Sequence, residues 1–133
     1  MEKQGKRIRV LVAVPGFDGH WSGAMVASSA LRDAGMEVIY MGMRQMPDQI
    51  VKAAIDEDVD VIGLSFHSLA HQGITAEIIR LLREQNVSIP VIVGGSILQK
   101  HAEALKAMGV AETFGVEIPT SKIIDFIKQL TKH

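Results

Sequence analysis

Val14-Pro15-Gly16-Phe17-Asp18-Gly19-His20-Trp21-Ser22-Gly23 is the stretch on which the reading of this chain turns. It follows the apolar run Ile8 to Ala13 and leads into a helical pattern from Ala24 onward. A β-branched run that halts at Pro and Gly, then resumes as a helix, is a strand-to-helix turn. In open α/β sheets such turns lie at the carboxyl ends of the strands, where ligands bind. This one sets Asp18 two residues before His20, between glycines. A carboxylate beside an imidazole can accept a hydrogen bond from one ring nitrogen. That fixes the tautomer and leaves the other lone pair free for a metal. The same pair also arises by accident in exposed loops, so a ligand role stays open on the residues alone.

Outward from that turn, the chain repeats one unit. Val26, Ala27, Ala30, Leu31 and Ala34 fall on one helical face, closed by Gly35. The face is unusually small-sided, so this helix can lie close to a sheet or to a bulky ligand. Glu37 to Tyr40 forms a short second strand, and Pro47 opens a helix with Ile50, Val51, Ala54 and Ile55 inward. Val59 to Ser65 is a third strand; Ile74, Ile78, Leu81 and Leu82 mark a third helix, closed near Asn86. Ile89 to Val93 runs into Gly94-Gly95, and Leu98, Ala102, Leu105 and Met108 mark a fourth helix ended by Gly109. Val110 to Phe114 is a weak fifth strand. Pro119 opens a last helix with Ile123, Ile124, Ile127 and Leu130 inward.

Strict strand-helix alternation implies a parallel sheet with helices on both faces and right-handed crossovers. At 133 residues the expected architecture is an α/β, flavodoxin-like (Rossmann-like) five-stranded sheet of order 2-1-3-4-5, in a single domain over 1–133. An eight-unit barrel needs about 250 residues. In the order 2-1-3-4-5 the chain switches direction between the first and third strands. The loops at Gly16 to Gly23, Ser65 to Gly73 and Gly94-Gly95-Ser96 should therefore converge on one crevice. Gly94-Gly95 reads equally as a tight turn or as a place where something bulky passes close to the backbone.

Composition narrows the function. The chain is 47% apolar and 22% charged with a formal net charge of −1, and it has no basic stripe, so no nucleic-acid partner is expected. No apolar run approaches the ~18 residues of a membrane span. The charged start, Met1 to Arg9, lacks the apolar core of a signal peptide, and a cytoplasmic location is expected. Cysteine is absent, which removes thiolate metal sites and thiol catalysis. No Gly-Lys-Ser/Thr follows the first strand, so the turn is not a nucleotide P-loop.

Asp18-Gly19-His20-Trp21-Ser22-Gly23 resembles Asp-x-His-x-x-Gly, the cobalamin-binding fingerprint, and Ser65 and Gly94-Gly95 fall where that family carries its later Ser and Gly-Gly signals. The match runs from about Arg7 to about Lys128. The wider wording at Leu31 to Tyr40 and Glu57 to Gly63 is similar to the small subunit of acyl-CoA mutases, including methylmalonyl-, isobutyryl- and 2-hydroxyisobutyryl-CoA mutases. The resemblance implies adenosylcobalamin (cobalamin, with its cobalt) as cofactor, bound base-off. His20 would be the lower axial ligand of the metal, and Asp18 would hold its other nitrogen. The displaced nucleotide tail would run between sheet and helix. Ser65 would reach its base, Gly94 and Gly95 would let it pass, and Phe114-Gly115 would line the far end. Gly19, Trp21, Gly23, Phe66, His67 and Ser68 complete the implied cofactor-binding set.

The resemblance puts no catalytic residue in this chain. It implies an isomerase subunit that acts only with a large substrate-binding mutase subunit. Departures from the usual mutase pattern are Val14 in place of a Lys, and Trp21-Ser22 in place of an Asp-Arg pair. Three other functions compete. A corrinoid carrier in methyl transfer usually brings an extra helical domain before this one. A Zn or Ni site could draw on His20, His67 and His71, although Gly73 places the latter two on a loop before the third helix. A phosphoacceptor receiver needs an acid where Ser65 stands.

Overall fold

A computed structural model describes residues 7–15, 22–66 and 71–131. Five parallel strands, β1 (Arg9–Pro15), β2 (Glu37–Gln45), β3 (Val61–Phe66), β4 (Val91–Gly95) and β5 (Glu112–Gly115), form one sheet of order β2-β1-β3-β4-β5. The helices are α1 (Ser22–Asp33), α2 (Pro47–Asp56), α3 (His71–Glu84), α4 (Gln99–Met108) and α5 (Thr120–Leu130). The expected doubly wound, flavodoxin-like order is the observed one.

Alternation along each strand divides the interior in two, because successive side chains point to opposite faces. Leu11, Ala13, Ile62, Leu64, Phe66, Val91 and Val93 face α2, α3 and α4, where Ile50, Val51, Ile78, Leu82 and Leu105 meet them. Val10, Val12, Val14, Val61, Ile92 and Phe114 face α1 and α5, against Ala24, Leu31 and Ile127. Each large aliphatic side chain buried this way contributes roughly 1.5–3 kcal/mol relative to exposure. The near-continuous apolar wording of β1 follows directly: both of its faces are covered, and Val10 to Val14 are all buried.

Ends are fixed by polar groups. At the amino edge of the sheet the Arg9 N–H donates to Asp60 Oδ2 at 2.8 Å, while its guanidinium meets Glu37 and Glu57 at 2.9 Å each. Gly35 (φ 92°) and Gly109 (φ 121°) close α1 and α4. Asp58 and Asn86, also left-handed, follow the ends of α2 and α3.

Strands β3, β4 and β5 each start two residues later than the sequence reading has them, and two boundaries differ in ways that bear on the site. β2 does not stop at Tyr40 but runs to Gln45, carrying irregularities opposite Val12/Ala13 and Val14/Pro15. Bulges absorb the two extra residues, Met41 and Arg44, which have no partner on β1, so the ladder continues past them. Helix α3 starts at His71, so His71 and Gly73 belong to its first turn rather than to a preceding loop.

Candidate functional site

On the α1/α5 side, the wall that the strands present shrinks towards the carboxyl edge. On β3 the residues facing that side run Val61, Gly63, Ser65; on β4 they run Ile92, then Gly94. Helix α1 begins at the carboxyl edge, so its small residues, Gly23, Ala24 and Ala27, lie level with Ser65 and Gly94. Its larger Leu31 lies level with the filled end. Small side chains facing small side chains leave a cavity of about 360 Å³ between sheet and helices. Phe114, Gly115, Thr120 and Ile123 close its β5/α5 side. The Phe114 ring is held edge-on by Phe126, with centroids 5.7 Å apart and an interplanar angle of 71°.

No charged side chain lines this slot among the described residues. Its polar side chains are the hydroxyls of Ser65 and Thr120, and neither makes a hydrogen bond among the described residues. Ser28 on α1 is also buried, with its Oγ unpaired among the described residues. Among the described residues, the groups with displaced pKa values lie in surface ion pairs away from the slot. Hydrogen bonding to Asp56 raises Lys52, that to Arg80 lowers Glu77, and that to Lys106 lowers Glu112. The described slot therefore offers shape and apolar contact, with two hydroxyls and backbone for orientation. It offers no acid or base.

The two adjacent glycines have different physical reasons. A Cβ on Gly95 would lie 1.8 Å from the Phe66 carbonyl oxygen, and its φ is 124°. The neighbouring strand alone demands glycine there. A Cβ on Gly94 would meet nothing closer than the Phe114 carbonyl oxygen at 3.5 Å, an ordinary contact. Gly63 likewise has 3.7 Å or more to spare, and Gly23 has nothing within 4 Å. Among the described residues, a Cβ at Gly94 or Gly63 would make only ordinary contacts and one at Gly23 none within 4 Å. A planar, mainly apolar group passing close to the backbone fits that cradle.

Of the residues singled out from sequence, Gly23, Ser65, Gly94, Gly95, Phe114 and Gly115 all line this one slot. Phe66 is placed differently. It is 2% exposed and packs with Leu64 in the core on the α2/α3/α4 side, so only its carbonyl, accepting from Ser96 N–H at 3.3 Å, borders the site. Asp18, Gly19, His20, Trp21, His67 and Ser68 lie outside the described residues. Among the described residues no three His, Asp or Glu side chains cluster as a metal would require. Sequence reading missed Gly63, Val26, Thr120 and Ile123. Only Gly63 carried a signal, as a glycine inside a strand two residues before Ser65.

With this geometry in hand, comparison with known proteins is informative. The B12 binding domain model matches residues 8–121. The chain belongs to the B12-binding domain family. Among members of known role, the 2-hydroxyisobutanoyl-CoA mutase small subunit of Aquincola tertiaricarbonis is 43% identical over 124 residues, covering 92% of this chain and 91% of that one. Ethylmalonyl-CoA mutase of Cereibacter sphaeroides is 38% identical over 110 residues, covering 83% of this chain but 17% of its own length. A crystal structure of a cobalamin-binding protein from Desulfitobacterium hafniense superposes with a TM-score of 0.82 at 18% identity, over 94% of this chain and 60% of that one. That likeness concerns the fold. In this B12-binding domain, the slot between sheet and α1 lies at the β1/β3 switch point, where doubly wound sheets hold ligands.

Proposed function

We propose that this chain is the cobalamin-binding subunit of an adenosylcobalamin-dependent carbon-skeleton acyl-CoA mutase. The observation that carries the reading is the slot whose strand wall is Gly63, Ser65 and Gly94, where a Cβ on Gly94 would meet no described atom closer than 3.5 Å. Such a slot accepts the nucleotide tail of a cofactor bound base-off. Ser65 and Thr120 offer their hydroxyls to the tail, and Phe114, braced by Phe126, closes the β5/α5 side. His20, five residues beyond the end of β1 in the sequence, would hold the cobalt, and Asp18 would accept a hydrogen bond from its other ring nitrogen, which would orient the ring and raise its basicity. Gly19, Trp21, His67 and Ser68, which follow β1 and β3 in the sequence, would complete the cofactor-binding set.

Bound adenosylcobalamin supplies an organic radical through homolysis of its cobalt–carbon bond, chemistry that belongs to the cofactor. The chain's own part is to bind and orient. It places no acid or base in the described slot, so turnover requires a partner that holds the acyl-CoA. A large substrate-binding subunit fits the surface around the slot. Among the described residues, the exposed large apolar side chains are Met25, Val26, Met43, Met46, Leu98 and Val116, and all six fall at the carboxyl edge of the sheet. An apolar rim of that kind marks an interaction site.

The visible spectrum on mixing with hydroxocobalamin or adenosylcobalamin tests the axial assignment. A base-off, histidine-ligated spectrum is expected with the wild type and should be lost in His20→Ala. Identical spectra from the two proteins would remove the axial role. Transfer of a methyl group, with no mutase activity on adding a large subunit, would favour a methyl carrier instead.

A further inference from the structure

Among the described residues, three other than glycine have a positive φ: Arg44 (60°), Asp58 (53°) and Asn86 (56°). Asp58 and Asn86 are residue types that tolerate the left-handed region, and they sit where α2 and α3 end. Arg44 shares neither excuse. It lies inside β2, at the second of two irregularities in the pairing with β1, next to Gln45, which pairs with Pro15. A long cationic side chain gains nothing locally from a left-handed backbone, and such strain persists only where the surroundings impose it.

Those surroundings are built from the same corner. The Gln45 side-chain amide donates to the Met41 and Met43 carbonyls at 3.1 and 3.2 Å, replacing partners that the bulged ladder loses. The Met46 N–H donates to Gln49 Oε1 at 2.9 Å, fixing the start of α2 just beyond. The result is a braced corner that turns Met43, Arg44 and Met46 outward, with the two methionines 38% and 41% exposed. Arg44 has no hydrogen-bond or ion-pair partner among the described residues. The corner stands beside Pro15, the end of β1, which precedes Asp18 by three residues in the sequence.

From this geometry we infer that the β2–α2 corner is a recognition element for the large subunit, in which Arg44 pairs with a partner carboxylate set between apolar contacts to Met43 and Met46. Arginine and methionine are enriched in protein interfaces, and the braced backbone fixes the point from which Arg44 leaves the sheet. The inference rests on the subunit reading above and adds to it the residues that read the partner.

The test measures association of this chain with the larger partner of the Aquincola tertiaricarbonis small subunit, using that small subunit as positive control. Arg44→Glu should weaken association at least about tenfold and Arg44→Lys about threefold, since lysine keeps the charge without the bidentate fork. Added salt should weaken the wild type more than Arg44→Gly. The melting temperature of Arg44→Gly should equal or exceed that of the wild type, because glycine relieves the left-handed strain. Wild-type affinity in Arg44→Glu would overturn this inference and leave the subunit reading intact. A fall of several degrees in Arg44→Gly would make Arg44 a structural residue and also overturn it. Failure of the wild type to associate where the control does would remove the subunit reading and this inference together.

Discussion

The two faces of the sheet are cut from the same five strands, yet one is filled to its carboxyl edge and the other is not. Towards α2, α3 and α4 the successive inward residues of β3 are Ile62, Leu64 and Phe66, all buried. Towards α1 and α5 they are Val61, Gly63 and Ser65, and the third level is empty. A period of two lets one strand carry a core on one side and a binding wall on the other. Three small residues, Gly63, Ser65 and Gly94, with Ala24 and Ala27 opposite, account for the difference. Both faces carry buried core, and among the described residues only the α1/α5 face opens into a cavity at its carboxyl end.

Breaking the filled face should have the largest effect on stability. Phe66→Ala should cost about 3–5 kcal/mol in denaturant unfolding, because the ring is fully enclosed and its neighbours cannot collapse into the void. Next comes the glycine that the chain itself requires. Gly95→Ala drives a Cβ into the Phe66 carbonyl at a positive φ and should cost about 2–4 kcal/mol, whether or not a ligand is present. Gly94→Ala sharpens the contrast by reversing the sign. Its Cβ meets only ordinary contacts, so unfolding should change by less than about 1 kcal/mol, with stabilisation the expected direction. Cobalamin affinity should nevertheless fall about tenfold.

The smallest effect belongs to neither face. Lys106 Nζ lies 2.6 Å from Glu112 Oε1, and with the Thr113 N–H at 3.0 Å it holds the Glu112 carboxyl below its ordinary value. A depressed folded-state value contributes stability above the ordinary carboxylate range and loses it as pH falls through the folded value. Both side chains are partly exposed, so Lys106→Met should cost less than about 1 kcal/mol at neutral pH. The cost should vanish once Glu112 is protonated. Denaturant titrations at the two pH values measure it.

Strand order, both helix layers and the convergence of the Ser65 and Gly94-Gly95 segments were legible in the sequence, because alternation and hydrophobic periodicity directly record burial. β2 was read too short. Nothing in Met41-Gly42-Met43-Arg44 announces that bulges carry the ladder onward, and the stabilising partner, the Gln45 amide, acts through backbone carbonyls. The start of α3 was read too late because Gly73 lowers helix propensity, which tertiary packing overrides. Within the site, Phe66 was grouped with Ser65 by adjacency, although the period of two sends neighbours to opposite faces. The same rule would have selected Gly63. Val26, Thr120 and Ile123 reach the slot through packing of α1 and α5 against the sheet, which no local pattern encodes.

The central claim, that the open face is shaped by a ligand, is tested most directly by filling it. Cobalamin titration of Gly94→Leu, followed by visible absorbance beside a thermal melt, should show affinity reduced at least about a hundredfold in a protein that melts within a few degrees of the wild type. Wild-type affinity with leucine in that position would mean the cofactor does not pass over Gly94, and the account of the slot would be wrong.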